Sequence, residues 1–138
     1  MEAKVLIFVV EDEELIREVL QDTLEDAGFA VLSATSGQQA IEILDAKGEY
    51  FRALVTDLNL GGSKTSGWKV AEHARQINDR LPVLYMTGGS AHDWDAKRVS
   101  NSELLTKPFA GAQLVKAVSQ LLNPSPPPER ETRPPGVS

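Results

Sequence analysis

Leu54-Val55-Thr56-Asp57-Leu58-Asn59-Leu60 is a short apolar run with one aspartate set into it. A carboxylate left ionised and unpartnered in such a setting is costly, so its partners are to be sought where other apolar runs end. Phe8-Val9-Val10 runs into Glu11-Asp12, Val83-Leu84-Tyr85-Met86 into Thr87-Gly88-Gly89, and Leu104-Leu105-Thr106 into Lys107-Pro108-Phe109. Carboxylates, a hydroxyl and an amine each follow a strand-like run. That is the pattern of one site assembled from four loops.

The runs themselves set the fold class. Lys4 to Val10 is nearly continuous apolar, as in a strand covered on both faces of a parallel sheet. Asp12-Glu13-Glu14 opens a helix with its acids at the favourable end of the dipole, and Leu15, Ile16, Val19, Leu20 and Leu24 recur at helical spacing as its core stripe. Gly28 ends it. A second strand over Phe29 to Ala34 is followed by a helix capped by Ser36, carrying Ala40, Ile41 and Leu44 to about Lys47.

The third strand is Ala53 to Asp57, followed by a polar, small-residue loop from Gly61 to Gly67. A helix from Trp68 to about Asn78 buries Val70, Ala71, Ala74 and Ile77. The fourth strand is Pro82 to Met86, and Ala91 to Val99 reads as a helix poor in large apolar residues. Glu103 to Thr106 is a short fifth strand, and Leu114, Val115, Val118, Leu121 and Leu122 mark the last helix. Strands alternating with helices give an α/β fold, a doubly wound five-stranded parallel sheet with five helices. In the order 2-1-3-4-5 ligands bind beyond the carboxyl ends of strands 1 and 3. Glu11, Asp12 and Asp57 then converge on one crevice, with Thr87 and Lys107 along the same edge.

Bulk properties bound the function. At 138 residues the chain fits one domain that buries roughly two thirds of its unfolded surface. The net charge of −6, from 14 basic and 20 acidic residues, argues against a broad nucleic-acid surface. The absence of cysteine excludes a disulfide framework and a thiolate metal site, and suits a cytoplasmic location. The start, Met1-Glu2-Ala3-Lys4-Val5, lacks the features of a signal peptide, and no apolar run approaches the ~18 residues of a membrane helix. Residues 1–122 read as one domain. From Asn123 to Ser138 the composition turns to Pro, Glu and Arg, and an extended tail is expected.

Three carboxylates at close range need protons or a cation. Glu11, Asp12 and Asp57 offer only oxygen, which suits Mg²⁺. Taken alone, Glu11-Asp12 is a helix-start acidic cluster, Asp57 a structural acid, Thr87 a satisfied strand-end hydroxyl and Lys107 a surface charge. Taken together, they make Asp57 a nucleophile able to form an acyl phosphate, with Lys107 neutralising a phosphoryl oxygen and Thr87 donating to another. Proline after Lys107 restrains its backbone and can aim the ammonium at the crevice. Gly88 and Gly89 leave room for close approach. His73 and His92 fall on or near surface helices as bystanders, and no glycine-rich phosphate loop or Ser-His-Asp set is present.

The motifs VVED, LVTDLNL, MTGG and LLTKPF, in this order, make the chain similar to the receiver domain of bacterial two-component response regulators over about residues 4–122. The resemblance implies a flavodoxin-like fold and phosphorylation of Asp57. Asp12 would be a direct metal ligand, Glu11 a ligand through water, and Asn59 a ligand through its carbonyl. Thr87 and Lys107 would contact the phosphoryl group. It implies a sensor histidine kinase or histidine phosphotransfer protein as phosphodonor, an unnamed downstream protein as target, and a monomer or weak dimer in the cytoplasm. No nucleic-acid or membrane partner is implied, and no enzymatic activity beyond assisting its own phosphotransfer and autodephosphorylation.

Three positions depart from the family pattern. Leu104 stands where an aromatic switch residue is common, the loop after Asp57 has glycines in place of the usual proline, and Glu11 replaces the more usual Asp. The expected output face is the region of Trp94, Lys97, Val99, Leu104 and Lys116. The runner-up functions are a receiver-like docking module whose acceptor is unused and, behind it, an Mg²⁺-dependent phosphohydrolase. Asp57-Leu58-Asn59 lacks the second acid that the hydrolase would use.

Overall fold

The computed structural model describes residues 4–61, 65–89 and 97–123. Five strands, β1 (Leu6–Val10), β2 (Ala30–Ala34), β3 (Ala53–Asp57), β4 (Val83–Thr87) and β5 (Ser102–Thr106), form one parallel sheet in the order β2-β1-β3-β4-β5. Among the described residues the helices are α1 (Glu14–Asp26), α2 (Gly37–Lys47), α3 (Gly67–Ile77) and α4 (Gly111–Leu122), with a 3-10 turn at Gly48–Tyr50. The helix expected over Ala91 to Val99, His92 and Trp94 included, falls mostly outside the described residues, as do residues 62–64 of the loop and the Pro-rich tail beyond Asn123.

The continuous apolar runs are explained by burial on both faces. Side chains alternate along each strand. Phe8 and Val10 of β1, Leu54 of β3, and Val83 and Tyr85 of β4 pack on the layer of α2 and α3. Ile7 and Val9, Val55, and Leu84 and Met86 pack on the layer of α1 and α4. The Phe8 and Phe51 rings stack with centroids 4.4 Å apart and planes 6° apart, locking the start of β3 to β1.

Local signals act where the sequence places them. The Ser36 hydroxyl accepts from the Gln39 amide at 3.1 Å to cap α2, and Ser66 caps α3 in the same way. Gly28 takes φ +101° just past α1, the left-handed turn that ends many helices.

One expectation for α1 is corrected. Leu20 and Leu24 are buried, but Leu15 and Val19 are 77% and 64% exposed. The helix meets the sheet along Ile16, Leu20 and Leu24, spaced four residues apart. Leu15 and Val19 precede that line by one residue, about 100° around the axis. They border an apolar cleft of about 360 Å³ with Pro108 and Phe109. Ile77, expected inside, is likewise 36% exposed at the end of α3. His73 holds Asp45 of α2 at 2.7 Å, away from the strand ends.

Candidate functional site

Four strands deliver the site because each ends in a polar residue at the same edge. Glu11 follows β1, Asp57 ends β3, Thr87 ends β4 and Lys107 follows β5. Since β3 lies between β1 and β4, Asp57 sits in the middle. Backbone bonds fix the edge: the Lys107 amide donates to the Thr87 carbonyl at 2.7 Å, and the Leu58 amide to the Met86 carbonyl at 2.9 Å.

The carboxylate of Asp57, a residue 6% exposed, receives two hydrogen bonds among the described residues. The Asn59 amide donates to Oδ1 at 3.0 Å and the Lys107 ammonium to Oδ2 at 2.7 Å. Lys107 also reaches Glu11 Oε1 at 3.2 Å. Glu11 is wholly buried, and its Oε2 accepts from the Glu13 amide at 3.1 Å. The added methylene of Glu over Asp lets this acid extend across the crevice to the lysine. Carboxylate oxygens of Glu11, Asp12 and Asp57 all lie within 4.8 Å of one another.

Burial pushes the Glu11 carboxyl up from its ordinary value of 4.5 to about 7. The Glu13 amide works against that shift, the Asp57 charge adds to it, and Lys107 opposes it. Burial likewise works against the charge on Lys107, but its hydrogen bond to Asp57 and the charges of Asp57 and Glu11 more than offset this, and its pKa is raised. The lysine is held cationic between two acids.

The site opens on a cleft of about 300 Å³ bordered by Asp12, Asp57, Asn59, Gly61, Gly88 and Lys107. The Thr87 hydroxyl accepts from the Gly89 amide at 3.2 Å. Among the described residues, a Cβ at Gly88 would come no closer than 4.0 Å to any atom and one at Gly89 would meet nothing within 4 Å. The Lys107-Pro108 bond is cis. Leu104 lies one strand over from Tyr85, in register with it and half-buried. An aliphatic side chain thus occupies the expected switch position.

The residues singled out in the sequence therefore meet at one strand edge: Glu11, Asp12, Asp57, Asn59, Thr87 and Lys107. Three further residues carry no signal in the apolar pattern. Arg17 donates to the Glu11 carbonyl at 3.0 Å from α1. A Cβ at Gly67 would stand 2.1 Å from the Asp57 carbonyl oxygen, so α3 starts against the backbone of the acid. Gly61 approaches Asp12 in the same manner. Only the glycine-rich composition after Asp57 hinted at the last two.

A family model described as the response regulator receiver domain matches residues 7–119. The chain is 40% identical to the crystal structure of a response regulator receiver protein from Sinorhizobium medicae and superposes with a TM-score of 0.83, covering 88% of this chain and 96% of that one. It is 32% identical over 120 residues to the response regulator receiver protein CpdR of Brucella abortus, covering 84% of this chain and 95% of that protein. Over 122 residues it is 34% identical to the response regulator protein FleR of Pseudomonas aeruginosa, covering 87% of this chain. The chain spans half or less of several curated relatives, 48% of one and 24% of FleR.

Proposed function

Since the chain belongs to the response regulator receiver domain family, we propose that it accepts a phosphoryl group on Asp57 in an Mg²⁺-dependent reaction. The observation that carries this reading is the pairing at Asp57. A nearly buried carboxylate is held by Lys107 Nζ at 2.7 Å, with carboxylate oxygens of Glu11 and Asp12 within 4.8 Å.

The donor set fits a hard divalent cation, since three oxygen ligands within 4.8 Å match what magnesium accepts. Glu11, Asp12 and Asp57 would hold it with the Asn59 carbonyl, and it would supply charge neutralisation at the phosphoryl oxygens. The chain's own groups do the rest. One oxygen of Asp57 forms the new O–P bond as the donor's P–N bond breaks, and the departing imidazole keeps the electron pair and takes up a proton. The Asn59 amide orients the nucleophile. Lys107 follows the charge from the carboxylate to the phosphoryl group, and Thr87 donates its hydroxyl to a second oxygen.

The donor on this reading is a phosphohistidine of a sensor kinase or phosphotransfer protein. The exposed Leu15 and Val19 support a protein donor, because their apolar cleft shares Ile16 and Lys107 with the border of the site. Output passes to a downstream protein or by phosphate relay. The molecule is a phosphoacceptor with autodephosphorylation as its only turnover, monomeric or weakly dimeric, and acts in the cytoplasm. Among the described residues no helix is long and apolar enough to cross a membrane.

The test is intact mass after incubation with a small-molecule phosphodonor and Mg²⁺, for the wild type and Asp57→Asn. One phosphoryl adduct, lost in the variant and without metal, is the expected result. Folded protein that binds Mg²⁺ but gains no adduct, even from a kinase, would favour the receiver-like docking module instead.

A further inference from the structure

The three carboxylates of the site are not held alike. Glu11 is fixed by the Glu13 amide and Lys107, and Asp57 by the Asn59 amide and Lys107. Among the described residues no hydrogen bond holds the carboxylate of Asp12. What stands against it is backbone. Gly61, four residues past Asp57, takes φ +65°, and a Cβ built there would lie 2.4 Å from Asp12 Oδ2 and 3.5 Å from its Cγ. Gly61 and Asp12 border the same cleft.

Two independent constraints therefore fall on one residue. A left-handed φ favours glycine, and a β-carbon here would collide with the Asp12 carboxylate. Ordinary contact begins at 3.4 Å against the 2.4 Å found here, so a β-carbon would have to displace the carboxylate or the loop by about 1 Å. We infer that Gly61 is a positioning residue of the cation site: its bare backbone is the wall that keeps the otherwise unheld Asp12 carboxylate in reach of the Glu11 and Asp57 oxygens. This rests on the metal-dependent reading above and adds to it the element that sets the third ligand.

The cation's chemistry makes the placement matter. Magnesium demands near-octahedral geometry at short ligand distances, whereas calcium accepts longer, irregular ones. Moving one of three carboxylates off its place therefore penalises magnesium, with its stricter geometry, more than calcium. That differential separates a positioning role from general loosening of the fold.

The experiment is calorimetric titration of the full chain with Mg²⁺ and, separately, Ca²⁺, alongside thermal unfolding. The variants are Gly61→Ala, Gly61→Asn and Gly28→Ala. Gly28 also has a positive φ, +101°, but among the described residues a Cβ there meets nothing within 4 Å, so its variant reports backbone strain. Asn tolerates the left-handed region while keeping the colliding Cβ, and it carries the test if the Ala variant fails to fold.

Both Gly61 variants are expected to lose Mg²⁺ affinity by about tenfold or more, with a smaller loss for Ca²⁺. Gly28→Ala should melt earlier with both affinities intact. Wild-type Mg²⁺ affinity in Gly61→Asn would overturn the inference, since the strain and not the approach would then be what glycine serves. Equal losses of both cations would overturn it as well. No Mg²⁺ binding by the wild type would instead remove the metal-dependent reading on which it rests.

Discussion

The Tyr85 hydroxyl accepts a hydrogen bond from the Val99 amide at 3.2 Å, although the Tyr85 side chain is wholly buried in the sheet. Its ring lies 4.8 Å from that of Trp68 at the start of α3. Burial is the first cause raising its pKa, and the Val99 amide works against it. Two residues before Thr87 on β4, Tyr85 thus ties that strand to the segment entering β5. Tyr85→Phe is expected to cost about 1 kcal/mol by urea unfolding, with Asp57 phosphorylation by a small donor unchanged. An unaltered unfolding midpoint would show that water replaces the bond at no cost.

On the metal-dependent reading, the raised pKa of Glu11, about 7 by burial, would make cation binding pH-dependent, because a carboxylate must shed its proton to serve a metal. Mg²⁺ affinity is expected to rise between about pH 6 and about pH 8, with proton release measurable by calorimetry in buffers of different ionisation enthalpy. Glu11→Gln should flatten the profile. In metal-free protein the sign for stability is opposite. The folded pKa lies above the ordinary 4.5, so the contribution is full below that value and is lost as pH rises through about 7.

Lys107 separates two acids that would otherwise face each other. Lys107→Met leaves buried Glu11 and Asp57 without their shared cation. The variant should lose about 3 kcal/mol at neutral pH, and less in acid, where the carboxylates are protonated. Chemical denaturation at the two pH values checks this. Equal losses in both would mean that packing of the lysine stem, not charge, was removed.

Arg75 of α3 is a fork with four acceptors. Its guanidinium donates to the Leu81 carbonyl at 2.6 Å, the Ser100 hydroxyl at 3.2 Å, the Asn101 carbonyl at 3.2 Å and the Ser100 carbonyl. A lysine supplies one compact charge and cannot span these groups. Arg75→Lys is expected to cost about 1–2 kcal/mol and to speed amide exchange at Val83, whose amide bonds the Asn101 carbonyl. Exchange at β2 should be unaffected, and a uniform acceleration would refute a local role.

The sheet and its order were legible because parallel strands buried on both faces are written as uninterrupted apolar runs, and β1, β3 and β4 are such runs. The site was legible because that order brings Glu11, Asp57, Thr87 and Lys107 to one edge, whatever their sequence separation. The rest depends on angles and distances that residue types do not encode. Leu15 and Val19 match helical spacing as well as Ile16 and Leu20 do, and only the docking of α1 decides which line faces inward. Likewise, the left-handed turn at Gly61 and the reach of Arg17 to the Glu11 carbonyl follow from how loops meet after the sheet has formed.

The 96 residues that separate Glu11 from Lys107 have a consequence for biosynthesis. A chain emerging from the ribosome exposes β1 and β3 while β5 is still inside the exit tunnel, and a domain completes its fold as a unit once its last elements are out. At that stage Glu11 and Asp57 are present without their cation partner from the last strand. The pairing at Asp57 therefore comes into being late, when the final segment docks, and an unfinished or truncated chain lacking Lys107 has the acid without its cationic partner.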